Sequence, residues 1–452
     1  MLHELDVRDR KETIVNGRPK LLFLAYFFPP VQTSGSVRTW NIAKYLARSG
    51  WDVTVVTPHP SVWRYADNPE RVSKDLSQEG IRRILTGHRW RYLEPSHLKC
   101  WNRGMGWVLG GACRRIARSL GLDRGAGWIR EAERACAPLT PDKCDVILAS
   151  GKPFASFTLA KRLSDRLGRP YVLDYRDPWT GDPRSDYTSR LAVIRKEASL
   201  LEGCAAITIV SPSWGVLLDR RFGVGSKLHV VTNGYDPGET AAIQPYDFGH
   251  CAFVYAGIFY PPKRVISPFL AALKRLRESL NENNNGWYFH YYGMQENHIR
   301  EQADRCGLND RIVLHGRVPR QEVLSALKGA SLAVVITSVA EQDTLEDKGI
   351  VPAKIFEAIA LGKPVLLITP TSSDVIAITT PTGLVKSFAG TDVQGMASFL
   401  KDVVCGRAPQ PQDIEACSWT TIGKNFDALL RGVVARHRSH AHVGNGDGGK
   451  SE

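Results

Sequence analysis

GIVPAKIFEAIALGKP, Gly349–Pro364, lies between two short apolar runs, LAVVIT (Leu332–Thr337) and PVLLIT (Pro364–Thr369). Both runs are rich in β-formers and bounded by turn residues, so both read as strands buried on both faces of a parallel sheet. Pro352 suits a first helical turn, where a missing N–H removes no bond. Ile355, Phe356, Ile359 and Ala360 then form an apolar stripe at helical spacing, and Gly362 ends the helix. A strand, a turn and a helix start present unsatisfied N–H groups and a positive dipole end to an anion, with Val351 at that start. Lys354 and Glu357 share the polar side of the first turns. A carboxylate one turn in, at Glu357, can accept from a vicinal diol such as a ribose. The competing reading of the same spacing is a surface ion pair between Lys354 and Glu357.

The segment resembles the nucleotide-sugar signature of GT-B glycosyltransferases, family four in particular. Glu357-Ala358-Ile359-Ala360-Leu361-Gly362-Lys363-Pro364-Val365 matches its second half, and Pro352 matches its inner proline. The resemblance implies that Glu357 holds the ribose hydroxyls. The first signature glutamate, which in the family contacts the donor sugar, would fall at Gly349, so that role has no matching side chain; Asp347 and Lys348 are the neighbours that can substitute.

At 452 residues the chain is long enough for two domains with full cores. Its apolar runs fall short of the roughly 20 residues of a membrane span. The charged start, MLHELDVRDRKE, lacks the apolar core of a signal peptide, which predicts a cytosolic protein. Nine scattered cysteines form no C-x-x-C pair, against zinc and disulfide frameworks. A net charge of +13 fits a polyanionic partner, or solubility alone.

Residues 1–18 read as a polar lead-in. Lys20–Tyr26 reads as a buried strand, Phe27-Phe28-Pro29-Pro30 breaks it, and a helix follows from about Val37 to Ser49. Trp51–Thr57 is the next strand. This is the opening of a doubly wound sheet. Gly35 at the strand-to-helix turn permits close backbone approach to a ligand, although the pattern is no dinucleotide fingerprint. Members of the resembled family open in the same way, with Gly35, Ser36 and Arg38 at positions that reach the donor diphosphate or the acceptor.

Residues 60–140 are the least regular. Between Arg82 and Arg134 stand 12 Lys/Arg against 4 Asp/Glu, with Trp90, Tyr92, Trp101, Trp107 and Trp128 among them. Three readings stay open: a helix in an anionic headgroup layer, single-strand nucleic-acid binding, or a helical insert with its aromatics in a core. Asp145–Ser150 and Tyr171–Tyr175 read as strands, the second ending in Arg176-Asp177-Pro178-Trp179. Ligands sit at the C-terminal ends of such strands, so Asp177 is placed to orient or deprotonate an acceptor hydroxyl, unless it forms an internal structural pair with Arg176. The loop sequences S-G-x-P and D-x-R-D-P-W are similar to those of family-four enzymes acting on surface polysaccharides. Many of those carry a histidine in the first loop; Ser150-Gly151-Lys152 has none.

The second domain begins near residue 238 with Ala252–Gly257. Lys263 and Arg264, in the loop after Gly257, supply cations that would offset charge building on a diphosphate leaving group; the alternative is a solvated basic turn. The resembled motif aligns Gly257 and Lys263, while its arginine position is Ile258. His315 reads as a strand residue, and the family's base-contacting edge falls at Val318. Residues 339–348 form an acidic loop expected to move. The Pro-rich link at 406–412 precedes a helix over Ile422–Ala435 that resembles the family's closing segment, returning to the first domain, and 437–452 reads as a disordered tail.

These features predict an α/β chain of the GT-B type. The boundaries are 19–237 for an acceptor domain, with a basic insert at about 82–134; 238–412 for a donor domain; and 413–436 for the returning helix. The resemblance implies a retaining glycosyltransferase without a metal or other cofactor. It would take a UDP- or GDP-sugar and a glycan or lipid-linked acceptor, working in the cytosol or at the inner membrane face. The alternatives are a nucleotide-sugar 2-epimerase, a degenerate nucleotide-binding protein, or a nucleic-acid binder, the last without a recognised motif.

Overall fold

The computed structural model describes residues 17–31, 33–64, 69–91, 111–113, 116–117, 122–123, 125–181, 191–280, 286–340 and 344–444. They form two parallel sheets. The first holds β1 (Lys20–Ala25), β2 (Asp52–Pro58), β3 (Arg82–Thr86), β4 (Val146–Gly151), β5 (Tyr171–Tyr175), β6 (Ala206–Ile209) and β7 (Leu228–Val230), in the order β3-β2-β1-β4-β5-β6-β7. The second holds β8 (Cys251–Ala256), β9 (Trp287–Tyr292), β10 (Ile312–Leu314), β11 (Leu332–Ile336), β12 (Val365–Ile368) and β13 (Val385–Phe388), in the order β10-β9-β8-β11-β12-β13. Each order reverses once, between β1 and β4 and between β8 and β11, and a crevice opens outside the strand ends at such a reversal. Helices cover both faces of each sheet, which is why the central strands are continuous apolar runs.

The last helix, Trp419–Gly444, lies on the first domain: Trp419, Ile422, Phe426, Leu430 and Val433 share a core with Leu21, Phe23, Ile42 and Leu46. The chain thus passes twice between the domains, and the passes pair at Tyr235 and Ser418. The helix runs beyond Ala435 into the stretch expected to be disordered, up to Gly444. Arg438 pairs with Asp145 at 2.9 Å and His437 meets the Gly168 carbonyl at 3.1 Å, so tertiary contacts hold this polar turn.

The basic segment is not one helical insert. Its start is β3, an edge strand of the first sheet, and its end is the helix Ala126–Ala135. Trp128 is fully buried and donates its indole N–H to Thr86 Oγ1 at 2.8 Å, whereas Trp90 is exposed. Arg89 and Arg134 both pair with Glu131, and Arg162 pairs with Glu133. Tyr92, Trp101, Trp107, Arg114, Arg115 and Arg118 lie outside the described residues.

Candidate functional site

Gly257, Lys263, Arg264 and Lys354 lie at the ends of β8 and β11, where the strand order reverses, while Val318 and Glu357 lie to one side with Arg320. Gly257 leaves β8 with φ +154°, a backbone conformation that favours glycine, and a β-carbon there would displace the Lys354 ammonium, 2.0 Å away. Its carbonyl accepts from the Tyr291 hydroxyl at 2.9 Å and its N–H donates to Tyr292 O at 2.9 Å, which pins the turn. The following loop folds back on itself where Tyr260 and Arg264 exchange backbone bonds at 2.9 and 3.0 Å. It is joined to the end of β11 by Val339 N–H donating to Lys263 O at 2.7 Å and Arg264 Nε donating to Thr337 O at 3.3 Å. Lys263 and Arg264 therefore stand in the crevice.

Lys354 enters the same place from the helix Ala353–Ala360, whose N-terminal flank carries buried Val351. The residue is exposed, but its ammonium reaches the Ala256 carbonyl and lies 5.9 Å from the Tyr255 ring centre. Crowding by protein lowers its pKa to about 8; Glu357 opposes this and Arg264 adds to it. Glu357 turns instead to Arg320, with Oε1 2.7 Å from Nη2, and Arg320 also grips Glu239. The two residues thus do not stand as an isolated surface couple. Val318 packs partly buried two residues before Arg320, the partner of Glu357. His315 stacks on Tyr292 with ring centres 4.1 Å apart and bonds to His290 at 2.9 Å.

On the first domain the fold brings Gly35 and Arg176 together. Gly35 lies in the first turn of the helix Ser34–Arg48, and a β-carbon there would fall 1.7 Å from Arg176 Nη1. Arg176 and Asp177 leave β5 side by side, their nearest charged atoms 3.8 Å apart. Glu197, in the helix Leu191–Gly203, anchors that loop from beneath: it accepts from Tyr175 Oη at 3.0 Å, Thr180 N at 3.1 Å and Thr180 Oγ1 at 2.5 Å.

Arg38 corrects an expectation. It is 2% exposed, and its guanidinium grips Asp174 through two bonds of 3.1 and 2.7 Å while donating to Val231 O, Thr232 O and Asn233 Oδ1. All five of its donors are used inside the domain, so it is an internal strut rather than an acceptor-side group. Burial pushes the Asp174 carboxyl up, but Arg38, Thr208 and Ser150 together hold it below its ordinary value.

The domains touch beside the central stretch. Trp214, at the start of the helix Pro212–Phe222, donates its indole N–H to Glu346 O at 3.0 Å, and Ser213 bonds through N and Oγ to Asp374, both at 2.7 Å. The acidic loop there is partly ordered as a helical turn, Leu345–Lys348, while 341–343 lie outside the described residues. Neither Trp214 nor Arg320 carries a local signal of a site role, because each acts through residues distant in sequence.

Two family models together cover most of the chain: a glycosyl transferase 4-like domain at residues 34–234 and glycosyl transferases group 1 at residues 250–404. The chain belongs to the GT-B, family-four-like glycosyltransferases. The enzyme's fold is shared with sucrose-phosphate synthase from Thermosynechococcus elongatus at a TM-score of 0.56 and 14% identity, over 95% of this chain and 98% of that one. The lipopolysaccharide outer core galactosyltransferase WaaB matches at 0.55 and 12%, over 91% and 99%. Anabaena Alr3699/HepE, solved with UDP and glucose, matches at 0.51 and 15%, over 94% and 99%. No curated protein matches the chain. A glycosyltransferase of this kind uses a nucleotide-sugar donor. Among the described residues no helix is long and apolar enough to cross a membrane.

Proposed function

We propose that the enzyme moves a sugar, with retention at the anomeric carbon and without a metal, from a UDP- or GDP-sugar to a glycan or lipid-linked acceptor in cell-surface polysaccharide or glycolipid synthesis. The observation that carries the donor half is the placing of Lys354 against side-chain-free Gly257 with Arg264 near it, and of Lys263 next to Arg264 in the same loop, at the ends of β8 and β11. Preorganised cations there offset the charge that grows on the diphosphate as the sugar–phosphate bond breaks. The helix start at Val351 adds its dipole. Glu357 takes the ribose hydroxyls and Val318 meets the base.

In this reading the acceptor lies against the first domain. Asp177 orients the attacking hydroxyl or takes its proton. Arg176 holds acceptor charge beside it, and Gly35 lets backbone reach the diphosphate from that side. HepE, at the same fold, was solved with UDP, which favours uridine as the first base to try. The +13 charge supports work at an anionic inner membrane face.

The test is thermal stabilisation by UDP, GDP, ADP and CMP and their sugar forms, each with EDTA, on wild type and Glu357→Ala. A native-state ligand raises Tm by mass action. One diphosphate should stabilise the wild type and lose its effect in Glu357→Ala. No shift with any nucleotide, from a folded sample, sinks the donor site. Release of free sugar or an epimer without an acceptor identifies an epimerase instead.

A further inference from the structure

We infer that Asp347 is the acceptor of a donor-sugar hydroxyl, and that Lys263 guards it until a diphosphate arrives. This rests on the donor site proposed above and adds the group that recognises the sugar. Asp347 is 1% exposed. Its Oδ2 accepts from Lys263 Nζ at 2.7 Å and from Thr344 Oγ1 at 3.0 Å. Its Oδ1 is buried and has no hydrogen-bond partner among the described residues. A carboxylate only accepts, with room for about four hydrogen bonds, and burying one short of donors is costly. The unmet oxygen asks for a ligand that donates.

The position says which ligand. Lys263 projects into the β8/β11 crevice with 47% of its side chain exposed, beside Arg264, and its backbone is tied to Val339. A diphosphate bound there draws the ammonium from Asp347. A bare diphosphate then leaves a buried carboxylate stranded, and breaking such a pair from one side is strongly unfavourable. A diphosphate carrying a sugar on its outer phosphate brings hydroxyl donors to the carboxylate that Lys263 has left. Two residues on, the Trp214 indole occupies the space a side chain at Gly349 would need, so this segment offers its buried carboxylate from Asp347 instead.

The exchange predicts opposite effects from one substitution. Calorimetry would compare UDP with UDP-glucose, UDP-galactose and UDP-N-acetylglucosamine, and GDP with GDP-mannose, on wild type, Asp347→Asn and Lys263→Met. In wild type one sugar form binds more tightly than its bare diphosphate. In Asp347→Asn the bare diphosphate binds as well or better, because Lys263 is released, while the sugar's gain falls by about tenfold or more, the worth of a hydrogen bond to a charged group. In Lys263→Met both ligands weaken and the sugar's gain survives, which keeps the idea testable if Asp347→Asn does not fold. Equal weakening of both ligands by Asp347→Asn overturns the inference and leaves Asp347 as a structural partner of Lys263. A wild type that binds a diphosphate but gains nothing from any sugar also overturns it. A wild type that binds no diphosphate is a different failure, that of the donor site itself.

Discussion

A β-carbon on Gly349 would stand 2.1 Å from Trp214 Cδ1, so the indole of the first domain fills the place of a side chain on the central stretch of the second. Trp214 is 3% exposed and its N–H is held by Glu346 O at 3.0 Å, which leaves it little freedom to yield. The glycine at the position of the family's first glutamate is therefore matched to a bulky neighbour. Gly349→Glu is expected to destabilise the domain contact by about 1–3 kcal/mol, the usual cost of overpacking. Adding Trp214→Ala should recover much of that loss, and urea unfolding of the single and double variants measures the coupling. Additive effects would mean that the two sites do not share space.

Gly35 offers the converse case, in which stability and activity should part. It sits in the first turn of a helix, where alanine gains up to about 0.5–1 kcal/mol over glycine. A β-carbon there would displace the Arg176 guanidinium. Gly35→Ala should leave the melting temperature unchanged or higher while transfer activity falls, because only the far end of a flexible side chain has to move. Equal activity in the variant would remove Arg176 from the acceptor site.

Arg38 is expected to matter for folding instead. Asp174 is wholly buried and relies on the guanidinium for its charge balance. Arg38→Ala strands that carboxylate and should cost about 3–5 kcal/mol. Arg38→Lys, which cannot grip both carboxylate oxygens and three further acceptors, should lose part of that. Denaturant midpoints of the first-domain transition read both values.

Lys354 predicts a pH dependence of donor binding. Its pKa in the free protein is about 8, and a bound anion beside it favours the charged form. Binding is thus strongest below pH 8 and weakens as pH rises through that value, with proton uptake on binding above it. Lys354→Met should bind less tightly and lose this slope. Nucleotide titrations between about pH 6.5 and 9.5, which bracket the lowered lysine value rather than the ordinary one, would show it; a slope surviving in the variant excludes Lys354 as its source.

Glu197 gives a second pH signature, in stability. Burial pushes its carboxyl up to about 7 against the pull of Thr180 and Tyr175. A raised carboxyl pKa stabilises the fold fully below the unfolded value near 4.5 and loses that contribution as pH rises through 7. The stability difference between wild type and Glu197→Gln should therefore move in the variant's favour between pH 5 and 7.5, by on the order of 1–3 kcal/mol. Urea midpoints at the two pH values are the measurement. A constant difference would show that the carboxyl does not titrate there.

Most strands were legible because they are buried on both faces, so each is an unbroken apolar run that needs no partner to be recognised. LAVVIT and PVLLIT became β11 and β12 on that ground. β3 was not legible: Arg82 and Arg83 lie at a sheet edge, where charges are tolerated and even useful. The turn at His437 and Arg438 was read as tail because its support comes from Gly168 and Asp145, far off in sequence.

The sequence by itself determined the two-sheet α/β class, the glycine at position 257 with its two following cations, and the helix that carries Lys354 and Glu357. These are local: periodicity, turn chemistry and helix starts act within a few residues. Only the tertiary structure decided that Arg38 serves Asp174 rather than a ligand, that Gly35 makes room for Arg176, that Trp214 closes position 349, and that Lys263 meets Asp347. Each is a pairing across tens to hundreds of positions. Which charge meets which, and which space is filled, is settled by packing of the sheets and the crossing between domains, and no short-range pattern encodes it.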